Sequence, residues 1–166
     1  MKTLQNTIAV VALATLLFSS NVFAQDFANA STPVTISLIK GLSMSVEDGS
    51  ISFTEGVAGR SETISVSAGT ASGAMFKVMG HEGRDITLDF TNTPLSNGVS
   101  SLTFEPAVEY TTTSSYSGAS TRADNTTVAL HNTNGDAYLW VGGSIDVDGS
   151  ETAGNYTGSF TLSVAY

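Results

Sequence analysis

The last eleven residues, Tyr156-Thr157-Gly158-Ser159-Phe160-Thr161-Leu162-Ser163-Val164-Ala165-Tyr166, decide the fold class. Successive side chains on a strand point to opposite faces. Here Tyr156, Gly158, Phe160, Leu162, Val164 and Tyr166 share one parity. The other parity holds Thr157, Ser159, Thr161, Ser163 and Ala165, all small and mostly hydroxylated. One apolar face and one polar face mark a half-buried antiparallel strand.

The same alternation runs upstream. Ala137, Leu139, Val141, Gly143, Ile145 and Val147 share one parity, and Gly142-Gly143 predicts a bulge or bend inside that long strand. Shorter alternating sets occur at Val34, Ile36 and Leu38, at Leu42, Met44 and Val46, and at Ile51 and Phe53. Others are Ile64 and Val66, Phe76 and Val78, Ile86 to Phe90, Leu102 and Phe104, and Val128 and Leu130. Turn sequences separate them, among them Glu47-Asp48-Gly49, Ser96-Asn97-Gly98 and Asn134-Gly135-Asp136. Helical periodicity is absent after residue 24. Strands at this spacing predict a sandwich, two sheets closing on one shared core. Residues 111–127 form the most polar stretch and are expected as a surface loop or a Thr-rich edge strand.

The beginning of the chain reads differently. Lys2 is its only charge before Asp26, and Ile8 to Phe18 is an unbroken apolar run. Val22-Phe23-Ala24 then offers suitable residues for cleavage after Ala24. Residues 1–24 are therefore expected to be a secretory signal peptide, and residues 25–166 a single domain. The product is expected to be exported, passing through the periplasm to the cell surface or the medium. The apolar run is short of the roughly 20 residues a bilayer span needs.

Composition narrows the function. The chain has fifteen acidic and six basic residues, and removal of Lys2 leaves a charge of about −10. Such a surface repels nucleic acid, which needs clustered Lys and Arg. There is no cysteine, so thiol chemistry and cysteine-ligated metals are excluded. Only His81 and His131 are available for a serine-histidine mechanism, and no Gly-x-Ser-x-Gly elbow accompanies them. Asp146, Asp148 and Glu151 have spacing that calcium ligands use, yet they also suit an acidic hairpin turn. No catalytic residue, metal or cofactor is expected. Tyr138 and Trp140 lie on the parity opposite Leu139 and Val141, which makes them a candidate contact patch if that face is outward.

The run from Tyr138 to Tyr166 resembles the ending of the bacterial domain of unknown function family 4402. Val141, Gly142, Gly143, Gly154, Tyr156, Gly158 and Tyr166 occupy that family's characteristic positions. The stretches STPVTISLIKGLSMSVEDGS and GAMFKVMGHEGRDITLDF look like its opening and its second strand pair. Leu42-Ser43-Met44 departs from it, because a Phe-Gly pair would follow the leading leucine. A wider similarity links the chain to chaperone–usher pilins, which are exported and Ig-like. They place a glycine twelve residues before a near-terminal tyrosine, as Gly154 and Tyr166 stand here, joined by an alternating strand like that of Phe160, Leu162 and Val164. The tyrosine is last rather than penultimate, and the pilin cysteine pair is missing.

That resemblance implies an Ig-like sandwich completed by strand addition, with a periplasmic chaperone, an outer-membrane usher or a second subunit as partner. Residues 25–32 would be an extended arm, with Phe27, Val34, Ile36 and Leu38 as inserted side chains. Residues 34–38 are alternatively the domain's own first strand. A free secreted sugar- or calcium-binding module is the competing expectation, and a hydrolase a third.

Overall fold

The computed structural model describes residue 33 and residues 35–166. The expected signal peptide, Phe27 and Val34 lie outside the described residues. The chain divides into two compact units, Met1–Ser37 and Leu38–Tyr166. In the first, residues 33 and 35–37 carry no strand or helix. The second holds ten strands and, among the described residues, no helix.

The strands are β1 (Ser43–Asp48), β2 (Glu62–Val66), β3 (Ala74–Met79), β4 (Asp85–Phe90), β5 (Thr93–Ser96), β6 (Ser101–Thr111), β7 (Ser120–Arg122), β8 (Thr127–Ala129), β9 (Asp136–Val147) and β10 (Leu162–Ala165). They form an all-β antiparallel sandwich. Seven strands make the larger sheet, ordered β1-β3-β9-β6-β5, with β2 also on β9 and β7 also on β6. The smaller sheet is β10-β4-β8.

β9 organises the larger sheet. Its residues Asp136 to Val141 pair with β3, and Gly143 to Val147 pair with β2. Gly142 and Gly143 sit at the handover between those partners. A Cβ on Gly142 would stand 2.3 Å from the Val66 carbonyl oxygen, and one on Gly143 would stand 2.2 Å from that of Glu105. Gly143 also has φ +150°, a backbone region that side chains avoid. The glycine pair is thus what lets two strands and the turn between them press against one side of β9.

The core follows the strand parity. Ala137, Leu139 and Val141 are wholly buried and meet Ile86, Leu88 and Leu162 of the smaller sheet. Each such aliphatic side chain contributes about 1.5–3 kcal/mol by leaving water. Phe104, Ile145 and Val147 build a second cluster, with Phe53 and Phe160 packed against Phe104 edge to face.

Three expectations are corrected. Residues 35–42 form no strand, and Ile36 and Leu38, which alternate in the sequence, are both exposed. Ile51 and Phe53 pack on the second cluster but belong to no strand. The last strand covers only Leu162–Ala165; upstream, a single bridge joins Ser96 to Thr157. The polar stretch contains a loop and also β7, which pairs with β6.

A candidate docking cleft

Three strands cannot cover seven. Over the half of the larger sheet built from β2, β5 and the adjoining ends of β6 and β9, the smaller sheet gives way to two irregular segments. Residues 49–58 lie on one side and residues 151–160 on the other. Between them opens a cleft of about 1060 Å³. Its floor includes Phe104, Ile145 and Val147, and Ile64, Leu95 and Leu102 surround them. Apolar floors of this kind are what an inserted side chain seeks.

Two sheet edges lack a second partner among the described residues: there β10 pairs with β4 alone, and β1 with β3 alone. Met44 stands opposite Val78 and Val46 opposite Phe76. Directly opposed residues share a face, so Met44 and Val46 are on the core side of the sheet. They are nevertheless 37% and 58% exposed. Val164, opposite Leu88 on β10, is half-buried. The two edges are drawn together at one end: the Tyr166 hydroxyl donates to the Lys40 carbonyl (2.8 Å) and accepts from the His81 backbone N–H (2.7 Å). An ion pair between Lys40 and Glu82 closes the same corner. It holds the Glu82 carboxyl below its ordinary pKa.

The expected contact residues fall into four places. Phe160 packs between Phe90 and Phe104 and lines the cleft; Leu162 is buried and Val164 half-buried on β10, and Tyr166 follows that strand. Gly154 is in the irregular segment 151–160, against Asn97. Ile36 and Leu38 are 83% and 80% exposed.

Tyr138 and Trp140 are elsewhere, on the outward face of β9. There they are half-buried by their own chain. Lys77 lies over the Tyr138 ring, and the Tyr116 ring meets Trp140 edge-on with centroids 5.5 Å apart. The Trp140 indole N–H donates to Thr111 Oγ1. Sequence reasoning missed Tyr116 because it sits in the polar stretch, where no alternation marks it.

The acidic groups of this turn are occupied by donors of the chain itself. Asp146 accepts from Thr63 Oγ1, Asp148 from the Ser150 N–H, and Glu151 from the N–H groups of Asp148 and Gly149. The bond from Ser150 lowers the Asp148 pKa. His131 Nδ1 accepts from the Thr133 N–H, and His81 Nδ1 from that of Lys40.

The model of a domain of unknown function (DUF4402) matches residues 43–166. That span takes in all ten strands and both edges of the cleft. No curated protein matches the chain.

Proposed function

The chain belongs to the DUF4402 family, and from that premise we propose that it is an exported structural or adhesive surface protein, a fimbrial-type subunit that assembles by β-strand addition. One observation carries the reading. Core-facing Met44 and Val46 remain exposed on one sheet edge while β10, across the sandwich, has no partner on its second edge among the described residues. An unpaired edge beside exposed apolar side chains invites an added strand. An incoming extended segment would supply backbone hydrogen bonds to the edge and alternate side chains to the cleft.

The donor in this reading is the segment before β1 of another copy. Ile36 and Leu38 suit it, because they alternate as strand residues and are exposed among the described residues. Phe27 and Val34 would continue the same insertion. Such head-to-tail contacts are heterologous, and they propagate into open filaments when the rotation does not close. A periplasmic chaperone would protect the edge in transit, and an outer-membrane usher would deliver the subunit.

Size-exclusion chromatography and electron microscopy of the purified protein test the proposal. Oligomers or filaments that disappear on deletion of residues 25–38 support it. A strictly monomeric protein, unchanged by that deletion, overturns it.

A further inference from the structure

The outward face of the larger sheet carries a second depression, remote in chemistry from the apolar cleft. Its volume is about 490 Å³. It exists because the sheet is short of side chains there. Gly142 supplies none, and Ala107 opposite it supplies only a methyl group. Residues 65–68 rise along one side, held against β9 by the close approach to Gly142.

What surrounds this floor is polar and aromatic together. Glu105 and Glu109 stand on β6 with Ala107 between them, four residues apart and so about 13 Å along the strand. Ser144 faces Glu105 from β9, and Ser65 faces Ser144 from β2. Tyr116 closes the end near Glu109. Its ring rests on Gly69, where a Cβ would come within 2.3 Å of it, and its hydroxyl donates to Glu109 Oε2 (3.0 Å). Burial and that carboxylate raise the Tyr116 pKa, so the phenol stays a donor at neutral pH. Neither Glu105 nor Glu109 is ion-paired among the described residues.

We propose that this depression is a binding subsite for a neutral saccharide of one or two pyranose rings. The assignment follows from the matching of groups. Carboxylates accept hydroxyl hydrogens in short, charge-assisted bonds. Serine hydroxyls both donate and accept, as sugar hydroxyls do. An aromatic wall fixed by neighbouring packing offers a surface for the C–H face of a sugar ring. A span of about 13 Å fits two rings end to end. The two carboxylates repel acidic sugars, so sialylated and uronic acid ligands are excluded. The subsite does not depend on strand addition and would serve an adhesive subunit or a free module equally.

The chain has one tryptophan, and Trp140 lies against Tyr116 and opposite Glu109, so its fluorescence reports on the site. Lactose, cellobiose and methyl α-mannopyranoside are titrated into the purified protein, alongside 3′-sialyllactose and an oligolysine peptide. At least one neutral sugar is expected to give a saturable emission change, and sialyllactose none. Ala107→Leu fills an exposed floor position, and Glu109→Gln removes a charge without changing shape; each is expected to weaken binding tenfold or more while the circular dichroism spectrum is unchanged. The inference is overturned if none of the neutral sugars changes the emission, if Ala107→Leu binds as the parent does, or if oligolysine alone binds. Filament formation by Ala107→Leu is expected to match the parent, which separates this outcome from any failure of strand addition.

Discussion

Tyr166 and Lys40, 126 positions apart in the chain, are joined by a 2.8 Å hydrogen bond from the tyrosine hydroxyl to the lysine carbonyl. The same hydroxyl accepts from the backbone of His81. One side chain therefore ties the end of β10, the segment entering β1 and the turn between β3 and β4. It sets where the edges of β1 and β10 stand relative to each other at that corner of the sandwich.

Tyr166→Phe removes both hydrogen bonds and keeps the ring. Tyr166 is 46% exposed, so water partly replaces the lost partners. The expected loss is about 1 kcal/mol. Urea unfolding checks it: the midpoint should fall with the slope unchanged. An unchanged midpoint would mean the clamp contributes nothing to the fold.

Gly142→Ala should be far more damaging than its size suggests. The new methyl would press on the Val66 carbonyl oxygen, part of the backbone rather than a movable side chain. Overpacking of this kind costs about 1–3 kcal/mol. The midpoint of thermal unfolding should drop, and hydrogen exchange should rise in β2 while β4 keeps its protection. A variant as stable as the parent would refute the handover role given to the glycine pair.

Acid should destabilise the protein through two surface carboxyls. The Lys40 partner lowers the Glu82 pKa, and the Ser150 hydrogen bonds lower that of Asp148. Both groups have folded-state values below their unfolded ones. Their contribution is thus fully present above the unfolded values and is lost as pH falls through the folded ones. Unfolding midpoints should be level at neutral pH and decline below roughly pH 4. Lys40→Met should flatten the part due to Glu82. An identical acid profile for that variant would contradict the assignment.

Much of the fold was legible in the chain because alternation reports burial directly. Ala137, Leu139, Val141, Ile145 and Val147 were readable as one buried parity, and all five are buried. The glycine pair was readable as an irregularity, and the structure adds its reason, the change of partner along β9. Alternation does not report pairing, however. Ile51, Phe53 and Phe160 have the right parity and bury apolar surface, yet they belong to no strand. β5 was missed for the converse reason: Pro94 and the short Thr93–Ser96 span suggest a turn, but the edge position next to β6 tolerates proline.

The site was legible only in part. Phe160, Leu162, Val164 and Tyr166 were marked by parity, and of these Phe160 lines the cleft. The cleft itself arises from the mismatch between a seven-stranded and a three-stranded sheet, which no local pattern encodes. The outward depression depends on Glu105, Glu109 and Tyr116 meeting from two segments, and nothing in their spacing announces it.

Strand addition is tested most directly by supplying the donor in trans. A chain lacking residues 25–38 is mixed with a synthetic peptide of residues 25–40, and amide hydrogen exchange is followed across the sandwich by mass spectrometry. One bound peptide per chain, with slowed exchange in β10 and a raised unfolding midpoint, is the predicted result. Exchange in β10 that is the same with and without the peptide would contradict the account.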